Sequence, residues 1–319
     1  TTLIFFFIII SISTIGINNS SNYFTSFKNR LVHNSILRND NWFLIANISG
    51  IENENQINNN LAQNFSIEDI VRGKKNIYII INESYPNFKN KKLYNNLFNK
   101  IIDNSNVKHS IFKREYSNEF TTLAAEEFVL CNKFTKSFME IDLKEYLINK
   151  KCWSNKIKKS KIFIHSYKKD FFNRYDRYNS FFDELYFNKE LKINGIKECP
   201  WNDVGSCDYD ILNNLSNVIQ DTKNHNFVIF LTLNNHLGLI YKTYDKEFLN
   251  CKKNKILKIN SDFCLLYNNQ IKFNLALNNF LKQMQKDDIL IMLSDTPPMF
   301  KKNLKKYFNE KTDIYVFEK

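Results

Sequence analysis

Glycine and proline are scarce in this chain, 6 and 4 in 319 residues, which argues against collagen-like repeats and long flexible linkers. No fixed repeat of the solenoid type runs through it. None of its cysteines forms CxxC, which argues against a zinc ribbon or a thioredoxin motif. Residues at the spacing of a DNA- or RNA-reading motif are missing too, although the formal charge is +12, from 45 basic and 33 acidic side chains. The basic residues are scattered lysines rather than a clustered arginine face. The charge therefore reflects a lysine-rich composition, and nucleic acid is not an expected partner. The first seventeen residues carry no charge at all.

What is present begins with that segment. Thr1 to Ile17 reads TTLIFFFIIISISTIGI, which as a helix would span roughly 25 Å, a little short of a bilayer core. It has neither the basic start nor the small-residue cleavage site of a secretory signal. It reads as the end of a transmembrane helix (1–17) from a longer protein, followed by a polar juxtamembrane connector (18–72) and one large domain (73–319). Six cysteines, Cys131, Cys152, Cys199, Cys207, Cys251 and Cys264, are an even number. Beside a membrane anchor they suit an oxidising compartment and structural disulfides. Sequence neighbours are one possible pairing among many.

The large domain alternates between two kinds of pattern. Asn76 to Glu83 (NIYIIINE), Lys161 to Tyr167 (KIFIHSY), Phe227 to Leu233 (FVIFLTL) and Asp288 to Ser294 (DILIMLS) are short continuous apolar runs, as in strands buried on both faces. Leu93, Leu97, Ile101 and Ile102 recur at helical spacing, a helix is expected over about 270–286, and Asp313 to Phe317 reads as a closing strand. The alternation predicts an α/β domain with a mostly parallel central sheet and helices on both faces. Ligands bind such sheets beyond the carboxyl ends of the strands.

Three of those ends carry groups capable of chemistry: Asn82-Glu83-Ser84, Thr232 to His236, and Ser294-Asp295-Thr296 followed by Pro297 and Pro298. Carboxylates and a histidine on neighbouring strand tips can hold a divalent cation. Taken singly, each residue would as readily cap a helix or make a turn. His33, His109 and His225 stand in no such pattern.

Further motifs lie between these ends. Residues 120–131 read FTTLAAEEFVLC, and residues 165–174 read HSYKKDFFNR. In this order the set resembles the alkaline-phosphatase/sulfatase-like superfamily, particularly its lipoteichoic acid synthase and phosphoethanolamine transferase branch, over about residues 75–300. The resemblance implies an alkaline-phosphatase-like fold in which Thr122 is the nucleophile, with Thr121 as its runner-up because Phe120 stands where the family often has glycine. It implies metal ligation of one divalent ion (Zn, Mn or Mg) by Glu83, Thr122, Asp295 and Thr296, the last replacing the family's histidine. Substrate contacts are implied for His165, Phe172, Arg174 and His236. The implied reaction moves a phosphoglycerol- or phosphoethanolamine-like group from a phospholipid donor to an envelope glycan or lipid through a phospho-threonine. The implied location is the bacterial inner membrane, with the catalytic domain periplasmic or otherwise extracytoplasmic. Hydrolysis by a phosphodiesterase or phosphatase is the alternative, as is a degenerate relative that only binds. No Cys/Ser-x-Pro-x-Arg motif surrounds Thr122, which argues against a sulfatase.

Overall fold

The computed structural model describes residues 65–103, 106–115, 122–132, 143–199, 205–219, 226–233, 235, 251, 254–259, 261–298, 302–309 and 311–319. All of them belong to one compact unit, Asn53–Lys319. The expected membrane segment 1–17, most of the connector 18–72, Thr121 and His236 lie outside the described residues, as does the side chain of Phe172. Among the described residues no helix is long and apolar enough to cross a membrane.

Seven strands form one sheet: β1 (Ile77–Asn82), β2 (Lys108–Glu115), β3 (Ser160–His165), β4 (Glu184–Tyr186), β5 (Asn226–Leu231), β6 (Ile289–Ser294) and β7 (Lys311–Glu318), in the order β2-β7-β6-β1-β5-β3-β4. The run from β6 to β4 is parallel, while β7 is antiparallel to β6 and β2 to β7. The mostly parallel sheet expected from the apolar runs is therefore present. The central strands β1, β5 and β6 are buried almost throughout, because helices cover both faces and leave no polar side for alternation to mark. Successive β1 residues divide between two cores. Ile77, Ile79 and Ile81 join Phe128 and Val129 on one face, and Ile80 joins Phe273, Leu277 and Leu281 on the other.

The helices that matter for the site are α1 (Lys91–Ile102), α2 (Thr122–Cys131), α3 (Arg174–Tyr178), α4 (Asp208–Asn213) and α5 (Ser261–Gln283). Asn90 caps α1 by accepting the amide of Leu93 at 3.0 Å, and Leu93, Leu97 and Ile101 form its buried stripe. The long helix corrects one expectation, since α5 begins at Ser261 rather than near 270 and ends at Gln283. Its first turns bury Phe263, Leu266 and Tyr267, so packing extends the helix beyond the stretch where its period was evident. A polar stripe on α5 meets α1. Asn274 donates to the Leu97 carbonyl at 2.8 Å and Asn278 to that of Ile101 at 2.6 Å, which satisfies carbonyls at the buried end of α1. Strands β3 and β5 each end two residues before the expected point.

All six cysteines are paired, as Cys131–Cys152, Cys199–Cys207 and Cys251–Cys264. Closing loops of 21, 8 and 13 residues contributes about 2–4 kcal/mol each in the chain-entropy account. The first bond anchors the end of α2, where Trp153 Nε1 also donates to the Val129 carbonyl at 3.0 Å.

Candidate functional site

The site is assembled where β1, β5 and β6 end together, since they are parallel neighbours in register. Just past β1 the chain turns through Ser84, whose φ of 54° lies in the left-handed region. The turn is held from both sides. Thr232 Oγ1 accepts the Glu83 amide at 2.9 Å, and Asp295 Oδ1 accepts the Ser84 amide at 3.0 Å. Ser294 Oγ accepts the amide of Tyr85 at 3.2 Å. Three strand tips are thereby tied to one another by side chains that the sequence places directly after apolar runs.

Asp295 is fully buried. Its Oδ2 accepts a hydrogen bond from Thr122 Oγ1 at 2.7 Å, and its Oδ1 accepts one from Thr296 Oγ1 at 3.2 Å. Thr122 opens α2, so the helix presents its first residue to the strand tips. Ser84 Oγ lies 3.4 Å from Thr296 Oγ1. Burial raises the carboxyl of Asp295, and these hydrogen bonds oppose the rise. Glu83 is raised well above the usual carboxylate range by burial first and then by the like charges of Asp295, Asp208 and Glu126, against the opposing charge of Arg174.

A second group of residues surrounds Arg174. Its Nε and Nη2 both donate to Glu126 Oε1, at 3.2 and 2.8 Å, and both side chains are buried. Its Nη1 reaches His165 Nε2 at 3.4 Å. Burial and the neighbouring guanidinium push His165 well below its ordinary range, so the ring is neutral. Its Nδ1 donates to the Leu231 carbonyl at 3.1 Å, which leaves Nε2 as the acceptor toward Arg174. His165 and Arg174, both expected at the substrate, thus sit in the interior beside β5 with Glu126.

Two participants carried no role in the sequence. Glu126 stands four residues after Thr122 and therefore on the same face of α2. Asp208 opens α4, is buried, and accepts the Leu233 amide through Oδ2 at 2.9 Å. The loop leading to Asp208 lies hard against the end of β3. A Cβ on Gly205 would stand 2.3 Å from the Ser166 carbonyl oxygen, while the next amide, of Ser206, donates to that oxygen at 2.9 Å. Gly205→Ala is expected to force backbone apart and cost about 1–3 kcal/mol, read as a lower urea midpoint. An unchanged midpoint would show that the loop can move away freely.

The possible cation donors are the carboxylates of Glu83 and Asp295 and the hydroxyls of Thr122 and Thr296. Among the described residues, no three His, Cys, Asp or Glu side chains gather as ligands. Oxygen donors alone fit a hard cation such as magnesium or manganese better than zinc. The like-charged carboxylates around Glu83 also fit a cation, which would favour their ionised forms.

These shifts make stability depend on pH. Glu83 and Asp295, raised above ordinary values of 4.5 and 3.8, hold protons in the folded chain that the unfolded chain releases. Their stabilising contribution is complete below those ordinary values and is lost as pH rises through the folded ones. His165 acts oppositely. Its contribution is complete above 6.5 and is lost as pH falls toward its depressed value. Above pH 6.5 the carboxyls alone set the slope among these three groups. In chelator the urea midpoint is expected to fall with rising pH there, and saturating manganese should flatten the fall. A midpoint that rises with pH in chelator would contradict this reading.

No family model and no curated protein matches the sequence. Solved structures do match. The lipoteichoic acid synthase LtaP from Listeria monocytogenes superposes with a TM-score of 0.55 at 14% identity, over 78% of this chain and 66% of that one. A protein in the alkaline phosphatase superfamily from Vibrio parahaemolyticus gives 0.49 at 15% identity, over 77% and 60%. The soluble domain of lipooligosaccharide phosphoethanolamine transferase A from Neisseria meningitidis gives 0.48 at 11%, over 77% and 78%. The chain spans a little under two thirds of the length of the first two. The first superposition shows that this chain shares its fold with the lipoteichoic acid synthase.

Proposed function

We propose that this domain transfers a phosphoglycerol- or phosphoethanolamine-like group from a phospholipid donor to an envelope glycan or lipid, outside the cytoplasm and at a membrane surface. The observation that carries the proposal is the Thr122 hydroxyl, which donates to Asp295 Oδ2 at 2.7 Å where α2 meets the tips of the sheet. With its hydrogen directed at a carboxylate, Oγ1 has lone pairs free for phosphorus. Attack forms the Oγ1–P bond and breaks the bond from phosphorus to the diacylglycerol oxygen. The threonine proton passes to Asp295 Oδ2 and on to the departing oxygen, giving diacylglycerol and a phospho-threonine that carries the headgroup. An acceptor hydroxyl then displaces Oγ1 from phosphorus, and the acceptor proton returns to Oγ1.

The leading amides of α2 face incoming phosphoryl oxygens and favour their negative charge. In this reading Arg174 and His236 offset that charge as it grows, and His165 and Phe172 serve as substrate contacts. Glu83, Asp295, Thr122 and Thr296 would hold a divalent cation, which when bound makes the threonine hydroxyl more acidic and stabilises phosphoryl charge. Three disulfides support an oxidising location for the domain. The test is diacylglycerol release from phosphatidylglycerol and phosphatidylethanolamine vesicles, with and without a hydroxylated glycan or lipid acceptor. Release coupled to headgroup appearing on the acceptor supports transfer. Release with the headgroup passing only to water supports the hydrolase, and no release from either vesicle overturns the enzymatic reading.

A further inference from the structure

The contact between α2 and Arg174 is more than a buried ion pair. Glu126 and Arg174 are 2% and 1% exposed, and Glu126 Oε1 takes both guanidinium contacts, while Oε2 is buried with no hydrogen-bond partner among the described residues. This is not the stronger fork-on-fork arrangement, in which both carboxylate oxygens are used. An unsatisfied buried carboxylate oxygen costs free energy, and a buried salt bridge is in any case weak evidence for stability. The grip instead fixes an orientation. With Nε and Nη2 held on one oxygen, Nη1 is directed to the neutral His165 Nε2 at 3.4 Å, and His165 is itself fixed by the Leu231 carbonyl at 3.1 Å.

The position of Glu126 on its helix gives that orientation a use. Thr122 and Glu126 lie one turn apart on the same face of α2, a rigid helix whose far end is tied to Cys152. We propose that Glu126 is a positioning residue, setting the Arg174 guanidinium at a fixed place relative to the Thr122 hydroxyl. The attacking oxygen and the group that offsets phosphoryl charge are then both referred to a single helix. This rests on the transferase reading above, in which Arg174 serves the phosphoryl group. Placement matters most in the transition state, so its loss falls on kcat more than on KM.

The test compares the unmodified protein with Glu126→Gln and Glu126→Asp, each also in an Arg174→Lys background, on phosphatidylglycerol vesicles. Glu126→Asp keeps the charge but withdraws it by one methylene, and it serves if the glutamine variant does not fold. Either single change is expected to lower kcat by about 100-fold, with KM changed less than about threefold. In the Arg174→Lys background the same change should add less than about threefold, because the group being positioned is gone. Single variants that fold and keep kcat within about threefold of the unmodified protein would overturn the proposal. So would a full additional loss in the Arg174→Lys background, the mark of a purely structural role.

A protein that releases no headgroup would defeat the transferase reading and leave this one open to a separate measurement. In that case inorganic phosphate binding is measured by calorimetry on the same variants. Weakening of about tenfold that disappears in the Arg174→Lys background supports positioning, and unchanged or additive binding overturns it.

Discussion

Thr122→Ala is expected to lower diacylglycerol release by at least about a thousandfold, the scale seen when an enzyme loses its nucleophile. The fold should survive the change. Asp295 keeps the Ser84 amide and the Thr296 hydroxyl as donors to its other oxygen, so the buried carboxylate is not stranded. The lost hydrogen bond to a charged group costs about 1.5–3 kcal/mol. Thr122→Ser retains the hydroxyl and should recover a large part of the rate. Thr296 is not expected to substitute, because it follows β6 rather than opening α2, and its Oγ1 is engaged by Asp295 Oδ1 and lies 3.4 Å from Ser84 Oγ. Initial rates on phosphatidylglycerol vesicles, read beside urea midpoints, separate lost chemistry from lost structure. A Thr122→Ala protein with an undiminished rate would remove Thr122 from the reaction.

The largest effect on stability is expected at Arg174. Arg174→Ala removes the guanidinium that is hydrogen-bonded to Glu126, and it leaves that carboxylate buried near the other acids around Glu83, with the charge of Arg177 as a weaker offset. Breaking a buried pair from one side costs about 3–5 kcal/mol. Replacing both partners, as Glu126→Met with Arg174→Met, should cost much less, since neither member of the pair is then left as a buried charge without the other. Urea unfolding of the three proteins checks both statements. A single variant within about 1 kcal/mol of the unmodified protein would mean that water reaches Glu126 freely.

The same chemistry explains what could be read from the sequence. Strands β1, β5 and β6 were legible because burial on both faces makes them continuous apolar runs, and their ends therefore identified Glu83, Thr232 and Asp295. Strands β2 and β4 were not anticipated. In β2, Lys108, His109 and Ser110 are exposed at the sheet's edge, so KHSIFKRE has no run to detect. Strand β4 is three half-buried residues. Thr122 emerged only through the ordered resemblance, since a threonine opening a helix is otherwise a common cap.

Glu126 was in plain view four residues later, but its role depends on where Arg174 arrives from another part of the chain. Asp208 had no local signal at all. Its importance comes from the fold bringing α4 beside β5, where the carboxylate takes an amide 25 positions away in sequence. The disulfide pairing was open by counting and is decided only when the six sulfur atoms are brought together.

The central claim is that Thr122 carries the transferred group, and mass spectrometry of the protein quenched in acid during turnover tests it most directly. After incubation with phosphatidylglycerol vesicles and manganese, without acceptor, the peptide containing Thr122 is expected to gain the mass of one phosphoglycerol unit. Supplied acceptor should discharge it, and Thr122→Ala should never acquire it. Headgroup release at full rate with an unmodified Thr122 peptide at every quench time, or the same adduct on the Thr122→Ala protein, would contradict the account.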